Sequence, residues 1–386
     1  MIRIGRGFFV REVAMDGRRR GIAWIAMCLL GMSAGVYGAA PVADADRLRT
    51  GFAWQIALEH AGFSPGLVDG KIGPRTALST REFQRAHGLP VTGKLDDATS
   101  AQLALPAVVT ATYTITDEDQ QVVTGTPKDW NEKAAMHYLG YASLIEVVGE
   151  KYHTSRKCIE GLNPGVNMDR LKVGDSLTVP AVDEPTDLGR LARLEINLVE
   201  KTIRGYDKSN QEIALFYCSI AKDVSKRPTG SARVVVVTPN PAYSFDPKMW
   251  PDVHDVTHKL LIPPGPRNPV GMCWVGLSLP GYGIHGTPAP EMIGKTGSHG
   301  CFRLTNWDAV RLGRITTPGI PVKFINPGSD VAAADAPVAA VVTKSDAAAA
   351  PAASSGSIKN VPWDQLLMGA MATTQPSEHV AVGDAR

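Results

Sequence analysis

The chain has 386 residues, 44% of them hydrophobic, and its 40 Lys and Arg against 38 Asp and Glu leave a net charge of +2. That length has room for two or three domains. The near balance argues against a basic nucleic-acid-binding face and against an acidic disordered tail, so no nucleic-acid partner is expected.

Residues 1–40 read as a secretion signal. Arg18-Arg19-Arg20 precede an apolar run from Gly21 to about Gly38, and the small residues Gly38, Ala39 and Ala40 suit signal-peptidase cleavage. The run falls short of the about 20 apolar residues of a membrane span. An uncleaved anchor is the competing reading, and Met15 is an alternative start. The expectation is export, to the periplasm or cell wall. Of five cysteines, Cys28 would leave with the signal, and Cys158, Cys218, Cys273 and Cys301 would meet an oxidising compartment. No pair has the C-x-x-C spacing of a zinc site.

Residues 47–106 read helix, loop, helix, loop, helix. Phe52, Ile56 and Leu58 mark the first helix, and Leu78 and Phe83 the second, between Thr76 and His87. Asp96 or Asp97 would cap the third, which runs to Leu103. This stretch resembles the small three-helix peptidoglycan-binding domain. The residues that carry the resemblance are Gly66-Leu67-Val68-Asp69-Gly70-Lys71-Ile72-Gly73, Thr76, Phe83-Gln84, Gly88-Leu89, Thr92-Gly93 and Thr99.

In residues 111–182, Leu144, Val147, Val148 and Tyr152 share one helical face, and Ile159 and Leu162 mark another that stops at Asn163-Pro164-Gly165. A turn and closing strand follow from Leu171 to Pro180, and Tyr113-Thr114-Ile115-Thr116 would be the opening strand. The order resembles a LysM βααβ module with an insertion before its first helix. The resemblance implies glycan binding; a structural spacer of the same shape is the alternative.

Residues 190–326 are strand-rich. Leu194–Val199, Glu212–Ser219 and Arg233–Thr238 read as strands, Pro228-Thr229-Gly230 as a turn, and Trp307–Arg314 as a helix. The expected architecture is therefore multi-domain α+β, closing on a mostly-β domain with its site on loops. Residues 327–386 are rich in Ala, Asp, Ser and Pro and cannot bury enough apolar surface to order themselves. Val361–Met368 is an apolar island within them.

The chemistry concentrates in the third region. Ile284-His285-Gly286-Thr287 is followed by Ser298-His299-Gly300-Cys301-Phe302-Arg303-Leu304-Thr305-Asn306. A cysteine's ordinary pKa of about 8.5 leaves it mostly protonated at neutral pH. A histidine beside it can take the proton and give a thiolate–imidazolium pair. His285 and His299 are both candidates. If residues 298–302 are extended, 299, 301 and 303 share a side, and Arg303 can fork onto a substrate carboxylate. The amides of Gly300 and Cys301 are natural oxyanion donors. A nucleophilic Cys301 must be a free thiol, which allows at most one disulfide among Cys158, Cys218 and Cys273.

These residues resemble the signature of the L,D-transpeptidase (YkuD) family, His…Ser/Thr-His-Gly-Cys-apolar-Arg-apolar-x-Asn. Ile262-Pro263-Pro264-Gly265-Pro266 and Asn268-Pro269-Val270-Gly271 also match family segments. The resemblance implies Cys301 as nucleophile and His285 as base, with the Gly286 carbonyl orienting the imidazole. It implies that His299, Gly300 and Ser298 shape the oxyanion site, that Arg303 holds a substrate carboxylate, and that Asn306 fixes the loop or contacts substrate. Trp274, Tyr282 and Trp250 would line the cleft or pack in the core. The implied reaction is peptidoglycan crosslinking without cofactor or metal, the acceptor being a second stem, a D-amino acid, a wall or outer-membrane protein lysine, or water. Two other classes compete: an inactive binding scaffold, and a metallo-amidase built on His254 and His258, which lack a third ligand nearby.

Overall fold

The computed structural model describes residues 42–183, 187–250, 253–298 and 300–326. The signal, His299 and the tail with its Val361–Met368 island lie outside these residues.

Three helices open the described chain: α1 (Val42–His60), α2 (Pro74–Ala86) and α3 (Asp97–Leu103). Asp96 caps α3 through its carboxylate, which accepts from the Thr99 amide at 3.0 Å. Two buried glutamines explain the glycine-rich loops. Gln55 Oε1 accepts from the amides of Asp69 and Gly70, and Gln84 Oε1 from those of Thr92 and Gly93. Gly51 is where α1 meets the first of these loops. A Cβ there would fall 1.9 Å from the Gly70 carbonyl oxygen, so only glycine allows the approach.

Residues 52–59 of α1 are all buried, which a helix on the rim of a three-helix domain would not be. One side packs Trp54, Ala57 and Leu58 against Phe83, Leu103 and Leu215. The other packs Phe52, Ile56 and Val68 against Cys158 and Leu162. The helical domain is thus built into the body of the molecule. Phe63 bridges to Leu215, with the Ser64 amide donating to the Leu215 carbonyl at 3.0 Å and the Leu215 amide to that of Gly62 at 2.9 Å.

The second region has the expected order with an insertion: β1 (Thr110–Thr114), α4 (Asp117–Gln121), α5 (Trp130–Ala135), α6 (Leu144–Lys151), α7 (Arg156–Leu162) and β2 (Ser176–Pro180). β1 and β2 pair antiparallel, Thr112 opposite Thr178. Asn163 ends α7 by donating to the carbonyls of Ile159 and Thr178 and accepting from the Thr178 amide. The inserted α5 packs elsewhere, on a hairpin of the third region described next.

That region supplies β3 (Arg193–Asn197), β4 (Thr202–Tyr206), β5 (Glu212–Tyr217), β6 (Ser231–Pro239), β7 (Tyr243–Phe245), β8 (Leu260–Ile262), β9 (Cys273–Leu277), β10 (Gly283–His285), β11 (Phe302–Arg303), α8 (Asn306–Ile315) and β12 (Pro321–Ile325). Eight strands form one sheet in the order β11-β10-β9-β6-β12-β3-β4-β5. Its ends meet. Just past β5, Ser219 and Arg303 exchange both backbone hydrogen bonds, at 2.8 and 3.0 Å, so the sheet curls closed. Leu194, Ile196, Phe216, Val275, Ile284, Phe302 and Leu312 fill the interior. β7 and β8 form a separate hairpin, and Trp130 of α5 stacks on its Phe245 with ring centroids 3.9 Å apart.

Candidate active site

The site lies where β10 and β11 run parallel, Ile284 opposite Phe302 and His285 opposite Arg303. Side chains alternate along strands. Ile284 and Phe302, each 1% exposed, therefore point into the core. His285 and Arg303 take the opposite face, and Cys301 immediately precedes β11. On the other flank of β10, Trp274 is opposite His285 and stacks on it at 5.8 Å. Trp274 also lies over Gly283, where a Cβ would come within 2.3 Å of the indole, so glycine is required there.

His285 is buried, and its Nδ1 donates to the Gly286 carbonyl at 2.7 Å. That bond fixes the tautomer and leaves Nε2 as the acceptor. Burial pulls the imidazole down to about 4, outweighing the Gly286 bond, and the Arg303 charge lowers it further. Burial likewise pushes the Cys301 thiol up to about 11, against a backbone hydrogen bond and Arg303. Both shifts favour the uncharged forms, thiol and imidazole, over the thiolate–imidazolium pair considered from sequence. The thiol of half-buried Cys301 donates to the Gly281 carbonyl at 3.4 Å.

Other expected residues take different places. Gly300 and Cys301 lie in a bend and strand begins only at Phe302, so the extended 298–302 segment on which a shared side was conditional is not seen among the described residues. His299 itself is outside the described residues. Ser298 Oγ donates to the Cys301 carbonyl and accepts from the Gly300 amide, the latter at 3.3 Å. The Gly300 amide thus has a partner and is not a free oxyanion donor in this state. Arg303 donates through Nη2 to the Gly297 carbonyl, while its buried Nε has no partner among the described residues. Nη2 is thereby committed to the loop carbonyl.

Asn306 is 0% exposed, which corrects the substrate-contact reading. Its Oδ1 accepts from the Met272 amide at 3.1 Å and its Nδ2 donates to the Pro266 carbonyl at 3.1 Å. Cβ atoms at Gly271 and Gly286 would both collide with it, so Asn306 locks three loops around His285. Tyr282 lies beside Gly300 and donates to the Lys226 carbonyl at 2.8 Å. Trp250 packs on Trp130 and Phe245 and donates to the Tyr243 hydroxyl at 3.2 Å. His254 and His258 are exposed, and no group of metal-ligating side chains occurs among the described residues. Cys158, Cys218, Cys273 and Cys301 are free thiols.

Sequence reasoning missed Tyr243. It sits on the β7–β8 hairpin, where burial raises its hydroxyl pKa and the Cys301 charge raises it further, which places the hairpin near the thiol. Only the pairing of distant segments reveals that, and no local motif marks it.

Fold and site together define a curled-sheet domain with a Cys–His–Arg cluster at its parallel edge. Residues 192–323 match the "L,D-transpeptidase catalytic domain" family model, and residues 53–103 match "Putative peptidoglycan binding domain". The third region is thus similar to L,D-transpeptidase catalytic domains, and the first to peptidoglycan-binding domains. The chain is 26% identical over 189 residues to "Putative L,D-transpeptidase YkuD" of Bacillus licheniformis, covering 49% of this chain and 98% of that one. It is 27% identical over 188 residues to "Probable L,D-transpeptidase YcfS" of Escherichia coli K12, covering 47% and 58%. Among solved structures, L,D-transpeptidase 3 from Mycobacterium tuberculosis in complex with a faropenem-derived adduct is 16% identical, with a TM-score of 0.29 over 41% of this chain and 76% of that one.

Proposed function

We propose that the chain is an exported L,D-transpeptidase that crosslinks peptidoglycan through a thioester on Cys301. The observation that carries this is that Cys301 immediately precedes β11, which runs parallel to the β10 that bears His285, and that His285 Nδ1 is tied to Gly286 so that Nε2 can accept a proton. Cys301 Sγ attacks the carbonyl of the third stem residue, diaminopimelate, as its proton passes to His285. The imidazolium then protonates the leaving amine and terminal D-alanine departs. An amine of a second stem attacks the thioester and gives up its proton through His285, the 3→3 crosslink forms, and the thiol is restored. The guanidinium of Arg303 suits a carboxylate of the donor stem. Because thiol and imidazole rest uncharged, proton transfer accompanies attack instead of preceding it. A half-buried thiol in this state resists adventitious oxidation, which suits an oxidising compartment.

The test supplies a disaccharide-tetrapeptide and follows products by mass spectrometry, with Cys301→Ala as control. Cys301-dependent D-alanine release supports the reading, and the product names the acceptor: a dimer for crosslinking, a tripeptide for hydrolysis, an exchanged stem for a D-amino acid, a protein adduct for a lysine. No Cys301-dependent release would leave a binding scaffold.

A further inference from the structure

We infer that the peptidoglycan-binding domain supplies a positioning residue to the catalytic domain: Arg75, which holds the turn leading into the Ser298–Arg303 segment. The inference rests on the reading of Cys301 as nucleophile.

Arg75 stands in the first turn of α2, next to Pro74. Its own carbonyl accepts from the Tyr217 hydroxyl at 2.6 Å, and its guanidinium lies over the Tyr217 ring, 5.0 Å from the centroid. Tyr217 is 5% exposed and ends β5, so Arg75 is gripped from both ends by a core residue of the other domain. From that mount Nη2 donates to the carbonyl of Ile293, itself buried.

The neighbouring carbonyl is held as well: Lys201 Nζ donates to Gly294 O at 2.9 Å. The Gly294 amide donates to Ser219 Oγ at 2.9 Å. Gly294 has φ +74°, and a Cβ there would come within 2.9 Å of Arg75 Nη2, so the turn fits the guanidinium closely. Ser219 is also the residue whose backbone pairs with Arg303 in both directions. The turn therefore shares a partner with the strand that carries the substrate-facing arginine, and it continues directly to Gly297, whose carbonyl receives Arg303 Nη2.

Two cations from two domains thus fix consecutive carbonyls just upstream of the nucleophile. Releasing one lets the 292–298 segment shift, and with it Gly297, Arg303 and Cys301. A displacement of about 1 Å at a reacting group lowers turnover by up to about a hundredfold. The peptidoglycan-binding domain then does more than tether the enzyme to its polymer, because without it the catalytic edge is incompletely held.

The test compares the full chain with Arg75→Ala and Arg75→Lys. It measures Cys301-dependent D-alanine release, the alkylation rate of Cys301 by iodoacetamide read by peptide mass spectrometry, thermal unfolding, and binding to purified sacculi. Arg75→Ala should lower kcat roughly tenfold with KM within about twofold, and Arg75→Lys, which keeps one donor, should recover most of it. Its Cys301 alkylation rate should change at least about threefold while sacculus binding is retained. Unchanged kcat and unchanged alkylation in Arg75→Ala would overturn the inference. So would a kcat loss that Arg75→Lys does not recover and that tracks the unfolded fraction. If the unsubstituted chain shows no Cys301-dependent release, the functional reading fails, and the alkylation rates alone decide whether Arg75 positions the segment.

Discussion

Near the edge of the sheet, buried His285 lies on the strand paired with β11, which Cys301 immediately precedes. At the junction of the three regions, His153 meets Glu59 at 2.7 Å and stacks on Trp307 at 4.9 Å. Both clusters are buried, yet they handle charge differently. Around His285 and Cys301 burial outweighs the nearby hydrogen bonds and shifts both groups toward their uncharged forms. Burial also opposes the Glu59 carboxylate, but His153 and Arg311 outweigh it and hold that group below its ordinary value. Asp308, accepting from Ser64 Oγ at 3.1 Å, is pushed up to about 7 by burial and by the Glu59 charge. The first cluster is arranged to move a proton. The second holds charge in place and joins α1, the second region and α8.

Substitutions can break this contrast. Cys301→Ala should abolish D-alanine release without lowering the melting temperature, because the half-buried thiol carries little packing; residual turnover would move the nucleophile. His285→Ala should reduce acylation by about 10²–10⁴, as loss of a general base does. An unchanged acylation rate would transfer the role to His299. At the junction, His153→Ala should cost about 1.5–3 kcal/mol of stability by removing the hydrogen bond to the Glu59 carboxylate, the range for a hydrogen bond to a charged group. Turnover per folded molecule should change little, which chemical denaturation and kinetics on one preparation would check.

The pH dependences should differ as well. Because the His285 pKa is lowered to about 4 and that of Cys301 raised to about 11, kcat/KM should stay nearly level from pH 5.5 to 9. Alkylation of Cys301, which needs preformed thiolate, should climb throughout that range. A bell-shaped kcat/KM with limbs near 6 and 8 would restore the ion-pair picture. The smallest effect is expected at Asp308. A carboxyl raised to about 7 stabilises the fold while protonated, and that contribution is lost as pH rises through 7. Glu59 acts in the opposite sense, its contribution present at neutral pH and lost as pH falls through its depressed value. Asp308→Asn keeps a hydrogen-bonding partner for Ser64 and should flatten the decline in melting temperature between about pH 4 and 7.

Much of the catalytic edge was legible because its parts are contiguous. Ser298, Gly300, Cys301 and Arg303 lie within a few residues, and His285 stands in its own short motif. The three helices and the Asp96 cap were legible for the same local reason. What the sequence hid is pairing across distance. β10 and β11 have three and two residues, too few for any periodicity, and their parallel register appears only in the folded chain. The closure at Ser219, the Tyr243 hairpin near the thiol, and the packing of α5 on that hairpin are likewise non-local. The docking of α1 was hidden because its apolar residues do not by themselves say what covers each face, and Cys158 and Leu215 do so only in the folded chain.

The most direct test is intact-protein mass spectrometry of the enzyme mixed with a disaccharide-tetrapeptide and quenched in acid. The account predicts an adduct equal to the donor less D-alanine, located on the peptide containing Cys301, lost on hydroxylamine treatment and absent from Cys301→Ala. Turnover without such an adduct, or an adduct on another residue, would contradict it.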